Sequence, residues 1–427
     1  LGDTNFYTDN LLISARELMN RRALSLVCFT LALVFGIQTV SCLGVFAQDS
    51  SSDLSSQKIN DALRAAMCWG GADGAMTVEL APRKILWLFG DTWIIGGGKA
   101  LGDRRMINNS VAIQEPESGP DSSSGCGFDI VMMDRTKWSF CFKGSIARPI
   151  SIFEARDKGA YYWPGCGTVY DGKLYLLLKK IRKKTDPDPL FQFDWYADDL
   201  VIVSNPQDPP KTWHYRITPV SDADHEVQFG LACAKDNKYF YSLCFLREFP
   251  KTAKRTIIAR ISWKDLLEDR TSKWEYWSHA DKHLEGAWSD DFRKAKNIIP
   301  DCGPEASLFF HKGLNCFVAV YQPPLSPEVK LRVAEKIEGP WSEPLNIFTV
   351  PERILKNGKS ALSYAGKAHE SLSIGNTIGF SYCENPGGLE DHAANPDVYF
   401  PTVRTYTIAP AKVREMLDGA GVSAPKP

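Results

Sequence analysis

Thr168-Val-Tyr-Asp-Gly-Lys-Leu-Tyr-Leu-Leu177 reads as two short strands joined by a tight Asp-Gly turn. The same pattern returns as Ala232-Cys-Ala-Lys-Asp-Asn-Lys-Tyr-Phe-Tyr241, as Ser307-Leu-Phe-Phe-His-Lys-Gly-Leu-Asn-Cys-Phe-Val318 and as Ser371-Leu-Ser-Ile-Gly-Asn-Thr-Ile-Gly-Phe-Ser-Tyr382. A first copy runs from Thr77 to Phe89 and turns at Ala81 to Lys84. Copies repeated at about 60 to 90 residues indicate radial repetition rather than one sandwich. Short apolar runs between Gly, Pro, Asn and Asp clusters fill the intervals, among them Leu200 to Ser204, Ile257 to Trp263 and Thr402 to Ile408. The expected fold is all-β, a five-bladed β-propeller with inserted loops and a short N-terminal helix, over residues 68–410. Each repeat would supply a hairpin near the axis.

Ahead of the repeats, Arg21 and Arg22 precede an apolar run from Ala23 to Ile37, and Val45-Phe46-Ala47 resembles a signal-peptidase site. That run is short for a membrane span. The expectation is an exported, secreted or periplasmic protein that begins near Gln48 after cleavage, with an uncleaved anchor or a lipid-modified Cys42 as alternatives. Gln48 to Gln57 reads as a linker, Ile59 to Met67 as a helix and residues 411–427 as a tail. Of the 11 Cys in the chain, Cys126 with Cys141 and Cys302 with Cys316 are close enough in sequence to pair in an oxidising compartment. Small buried thiols are the other reading. Lys plus Arg total 50 against 51 Asp plus Glu, so no global charge favours nucleic acid or an anionic membrane surface. There is no Cys-x-x-Cys, which argues against a redox centre or structural zinc.

A polar cluster precedes each repeat: Asp73 and Asp91 around the first hairpin, Trp163-Pro-Gly165, Asp224-His-Glu226, Asp301-Cys-Gly-Pro-Glu305, and Lys367-Ala-His-Glu370 with Asn385. In a propeller these clusters gather around one axial funnel. If the first loop is Ala81 to Lys84, Asp73 faces Thr92 and Asp91 faces Gly74; a register shift of one residue sets the two aspartates directly opposite. Facing Cβ atoms are about 4.5–5.5 Å apart, compatible with the roughly 5–5.5 Å carboxyl spacing of retaining glycosidases. The plainer reading makes Asp73 a turn residue and Asp91 a strand-end cap.

The stretch from Trp69-Gly-Gly-Ala-Asp-Gly-Ala75 through Leu86-Trp-Leu-Phe-Gly-Asp-Thr-Trp93 to Ile107-Asn-Asn-Ser110 resembles DUF4185, a family of exported five-bladed propellers that includes secreted endo-D-arabinanases. Tyr364-Ala-Gly-Lys-Ala-His369, Ser381-Tyr-Cys-Glu-Asn385 and Tyr399-Phe-Pro401 extend the resemblance to about Ile408. It implies a glycoside hydrolase with Asp73 and Asp91 as its catalytic pair, acting on a furanose-rich polysaccharide or oligosaccharide; such two-carboxylate chemistry requires no cofactor or metal, and a structural cation at the axis stays open. Trp93 and Trp163 could stack on a sugar, or pack in the core. Asn108 and Asn109 could bind hydroxyls, or cap a turn. Glu305 could be a second acid or a substrate ligand, or a solvated strand end. His369 could orient a carboxylate or coordinate an axial ion, or be a hydrogen-bonded core histidine. Gly96-Gly-Gly-Lys99 lacks the spacing of a phosphate loop. The basic run Lys179 to Lys184 reads as a solvated hairpin extension, with an anionic-glycan patch as the lesser reading. A non-catalytic glycan-binding or surface-interaction propeller is the alternative to the hydrolase, and a lyase or sialidase-like enzyme is a third possibility.

Overall fold

The computed structural model describes residues 50–66, 68–96, 104–117, 127–132, 134–184, 192–220, 224–247, 254–278 and 286–420. The chain divides between Ala47 and Gln48, and every described residue belongs to the second unit. The expected signal segment, Cys126 and Gly97 to Lys99 lie outside the described residues.

Five antiparallel sheets form the blades. Their first two strands are the five hairpins read from the sequence: Met76–Ala81 with Lys84–Phe89, Ala160–Tyr170 with Lys173–Lys183, Val227–Lys235 with Tyr239–Arg247, Ala306–His311 with Cys316–Tyr321, and Leu362–His369 with Thr377–Asn385. The first strand of each hairpin touches the first strand of the next, and the fifth returns to the first. A blade packs between two others, so its second strand is buried on both faces. That explains why Leu174–Leu178 and Val318–Tyr321 are continuously buried instead of alternating.

Three elements depart from the expected pattern. Helix Ser50–Ala65 begins in the segment expected to be a linker. Its stripe of Ile59, Ala62, Leu63 and the following Ala66 packs with Trp69 and Val403, and this tertiary burial outweighs the poor helix propensity of its Ser and Asp residues. Asn60 then seals the exposed edge of the three-stranded fifth blade: its Nδ2 donates to Val403 O at 3.0 Å and its Oδ1 accepts from Val403 N at 2.8 Å. At the other end, the expected tail starts as helix Pro410–Ala420, with Val413 and Met416 buried beside Leu331.

Among the described residues Cys68, Cys166, Cys233, Cys244, Cys302, Cys316 and Cys383 are free thiols. The expected Cys302–Cys316 bond is not present, because Cys302 packs with Ile299 and Tyr321 while Cys316 packs in a different core with Val333 and Ile378. Cys141 is a buried core residue beside Val111, and its expected partner Cys126 lies outside the described residues. No described helix is long and apolar enough to cross a membrane.

Candidate active site

The first hairpin fixes the site by its register. Met76 faces Leu88, Thr77 faces Trp87, Val78 faces Leu86 and Glu79 faces Ile85, while an irregularity lies between Glu79 and Ala81. That irregularity moves the pairing one residue from the frame a plain Ala81 to Lys84 loop would impose, so Asp73 comes opposite Asp91. Asp73 N donates to Asp91 O at 3.3 Å, and Gly90 N donates to Asp73 O at 3.0 Å. Beyond them the same two chain segments continue as a small sheet of Trp69–Ala72, Thr92–Ile95 and Arg104–Ile107, in which Ala72 faces Thr92.

Two glycines allow this crossing. A Cβ on Gly90 would stand 2.4 Å from Asp73 Oδ1, so only glycine leaves room for the carboxylate. Gly71 has φ +105°, and a Cβ there would lie 2.0 Å from Tyr399 O. The segment between the last two strands of blade five can therefore close over blade one.

Different donors surround the two carboxylates. Asp91 Oδ1 accepts from Asn108 Nδ2 at 2.9 Å and from Trp163 Nε1 at 2.8 Å. Asp73 Oδ2 accepts from Tyr364 Oη at 2.7 Å, and Tyr399 bonds the same carboxylate. Glu305 enters from blade four and pairs with Lys367, which also donates to Gly74 O. Lys367 thus braces the turn that carries Asp73.

Burial first, then the charges of Asp91 and Glu305, push Asp73 up to about 7 against the pull of its two tyrosines. Burial also raises Asp91, opposed by its Asn108 and Trp163 bonds. Burial alone would raise Glu305, but Lys367 and Lys179 hold it below the usual carboxylate range. The Tyr364 and Tyr399 hydroxyls are pushed well up, by burial and then by Asp73, and remain protonated donors.

The structure therefore brings together Asp73, Asp91, Asn108, Trp163 and Glu305. The remaining candidates are engaged elsewhere. Asn109 is buried, with Nδ2 on Phe153 O and Tyr162 O and Oδ1 on Phe153 N, a clasp between blades one and two. His369 is buried between Thr77 Oγ1 at 3.0 Å and Ser381 Oγ at 2.9 Å, packs on Trp87, and is pushed down to about 3 by burial and then Lys367. It is a neutral core histidine. Trp93 is buried with its Nε1 on His392 Nδ1 at 3.1 Å. Asn385 accepts from Gly387 N at 2.8 Å in a turn.

Sequence reasoning missed Tyr364 and Tyr399 as site residues and named Lys367 only as a member of the polar cluster of blade five. Each is far along the chain from the aspartates, and no spacing rule links residue 73 to residue 364. The only signal for the two tyrosines was membership of the Tyr364 to His369 and Tyr399 to Pro401 motifs. Among the described residues, no group of His, Cys, Asp and Glu side chains is arranged to hold a metal ion.

Fold and site together define a five-bladed β-propeller with a carboxylate pair on its first hairpin. The chain belongs to DUF5005, a family described as a domain of unknown function, which matches residues 56–405. The family shown is thus DUF5005 and not DUF4185. Among solved structures, a protein from Bacteroides ovatus ATCC 8483 described as a "putative hydrolase" superposes with a TM-score of 0.62 at 18% identity, covering 87% of this chain and 92% of that one. The catalytic domain of a Coprinopsis cinerea α-L-arabinofuranosidase gives a TM-score of 0.40 at 8% identity, with 81% and 92% covered. A Bombyx mori β-fructofuranosidase gives 0.39 at 12% identity, with 84% and 67% covered. The first of these likenesses concerns the fold alone. No curated protein matches the chain.

Proposed function

We propose that this protein is an exported glycoside hydrolase that cleaves a polysaccharide, arabinan-like in its furanose content, with Asp73 as the general acid and Asp91 as the opposing carboxylate. The observation that carries this reading is the pair of facing aspartates with unlike surroundings. Asn108 and Trp163 present N–H groups to Asp91, which can only donate and so favour its ionised form. Tyr364 presents a hydroxyl to Asp73, which can donate to a carboxylate or accept from a carboxylic acid. Two nearby negative charges and burial favour the protonated form of Asp73.

In this mechanism Asp73 gives its proton to the glycosidic oxygen as the bond to the leaving sugar breaks. Asp91, ionised, either attacks the anomeric carbon or takes a proton from an attacking water. Trp163 orients Asp91 and offers a ring face to the sugar. The test is product release by purified protein from a panel of polysaccharides, alongside Asp73→Asn and Asp91→Asn. Either substitution should lower turnover by at least about 10³-fold while sugar binding persists. The anomeric configuration of the first product identifies the role of Asp91: retention for a nucleophile, inversion for a base. Binding without cleavage by the wild type would favour a glycan-binding propeller instead.

A further inference from the structure

The last two strands of blade five, Thr377–Asn385 and Thr402–Thr407, pair directly, yet no tight turn joins them. The residues between them, 386–401, form a strap that crosses to blade one and delivers Tyr399 to Asp73. The strap is pinned along its length. Lys356 N donates to Asn395 Oδ1 at 3.0 Å, Asn395 Nδ2 donates to Asp391 O at 2.9 Å, and Phe400 packs in the core that holds Trp69.

One residue of the strap reaches toward both aspartates. His392, in the short helix Leu389–Ala394, is buried, and its ring stands edge-on to that of Tyr399, with centroids 4.6 Å apart and planes at 84°. From the other side, Trp93 Nε1 donates to His392 Nδ1 at 3.1 Å, with the two rings 5.4 Å apart. Trp93 belongs to the strand Thr92–Ile95, which follows Asp91 directly. An indole N–H only donates, so Nδ1 carries a lone pair and the imidazole is neutral. Burial, and then Arg104, keep it so by pushing His392 down to about 4 against the opposing charge of Asp391. The path from Asp91 through Trp93, His392 and Tyr399 to Asp73 therefore joins the two carboxylates by a second route, independent of the hairpin backbone.

We infer that His392 is a positioning residue for the carboxylate pair: clasped by Trp93, it holds the Tyr399 ring where the Tyr399 hydroxyl meets Asp73. This rests on the hydrolase reading above for the reaction that the pair serves. A hydroxyl that donates to a carboxylate favours the ionised form, so Tyr399 opposes the burial that raises Asp73. Releasing the Tyr399 ring thus raises Asp73 further, opposite in sign to the removal of Glu305.

The experiment compares His392→Gln, Tyr399→Phe and the double variant. Glutamine keeps an acceptor for Trp93 but puts no ring against Tyr399; His392→Phe, which keeps a ring but no acceptor, replaces it if the glutamine variant does not fold. In each single variant the basic limb of the pH–rate profile should move to higher pH, and kcat should fall about tenfold or more with KM little changed. The double variant should match Tyr399→Phe alone, because both substitutions act through one hydroxyl. The same order should appear without substrate. The gap in thermal midpoint between each protein and its Asp73→Asn counterpart should go on widening to higher pH than in the wild type, since the folded pKa of Asp73 lies higher. An unmoved limb and an unmoved gap, or additive shifts in the double variant, would overturn the positioning role and leave His392 a packing residue. If the gap moves as expected but wild-type protein releases no product, the hydrolase reading fails while the clasp stands.

Discussion

On the proposed mechanism, Asp73 is where the chemistry and the stability of the protein meet. A general acid must hold its proton, so the rate should decline as pH rises through about 7, the value set by burial, Asp91 and Glu305. Glu305→Gln removes one negative charge and frees Lys367, and both effects lower the Asp73 pKa. A pH–rate profile of that variant should show its basic limb displaced to lower pH; an unmoved limb would separate Glu305 from the acid. The same shift is linked to folding. With its folded pKa raised above the unfolded value of about 3.9, Asp73 contributes stability that is full below that value and lost as pH climbs through about 7. Asn cannot ionise and escapes that loss. Thermal midpoints of wild type and Asp73→Asn should therefore diverge in favour of the variant between pH 4 and pH 8.

At the scale of the element, the first hairpin and the N-terminal helix each depend on one residue. Gly90→Ala would put a methyl group 2.4 Å from Asp73 Oδ1, displacing the carboxylate rather than unfolding the blade. Turnover should fall by about 10²-fold, the cost of a misplacement near 1 Å, with the thermal midpoint little changed. A parallel collapse of the midpoint would show that the glycine serves the fold instead. Asn60→Ala leaves the Val403 N–H and C=O without their partner on the edge of blade five. It should destabilise the protein by roughly 2–4 kcal/mol in urea unfolding, two buried groups being left unsatisfied. No effect on the activity of the folded fraction is expected, since Asn60 is remote from Asp73 in its contacts.

For the molecule as a whole, cohesion comes from packing between blades without described disulfides. Thiol titration in denaturant should find at least the seven thiols of Cys68, Cys166, Cys233, Cys244, Cys302, Cys316 and Cys383. Ring closure depends on helix Ser50–Ala65, whose Ile59 and Leu63 belong to the same core as Trp69, Phe400 and Val403. A chain that begins after Ala66 would bare that core and the edge of blade five, and should aggregate on sizing chromatography where a chain that begins at Gln48 does not.

The sequence by itself determined the five hairpins, because strand periodicity and turn residues act between neighbours along the chain. Asp171-Gly172 and Asp236-Asn237 specify their turns wherever they occur. It also picked out Asp73 and Asp91, since a hairpin brings its two ends together whatever surrounds it. It left their register open between two frames, and the irregularity after Glu79 chose the frame that makes them face. Only the tertiary structure decided the environment of the pair. Tyr364, Tyr399, Lys367 and Glu305 reach Asp73 from blades four and five because the ring closes, and closure joins residues some 290 positions apart, as in Tyr364 with Asp73. Tertiary structure likewise made His369 and Asn109 structural, by surrounding each with partners for its polar atoms. A local pattern records what a residue can bond to; which partner it meets depends on contacts between distant parts of the chain, and those exist only after folding.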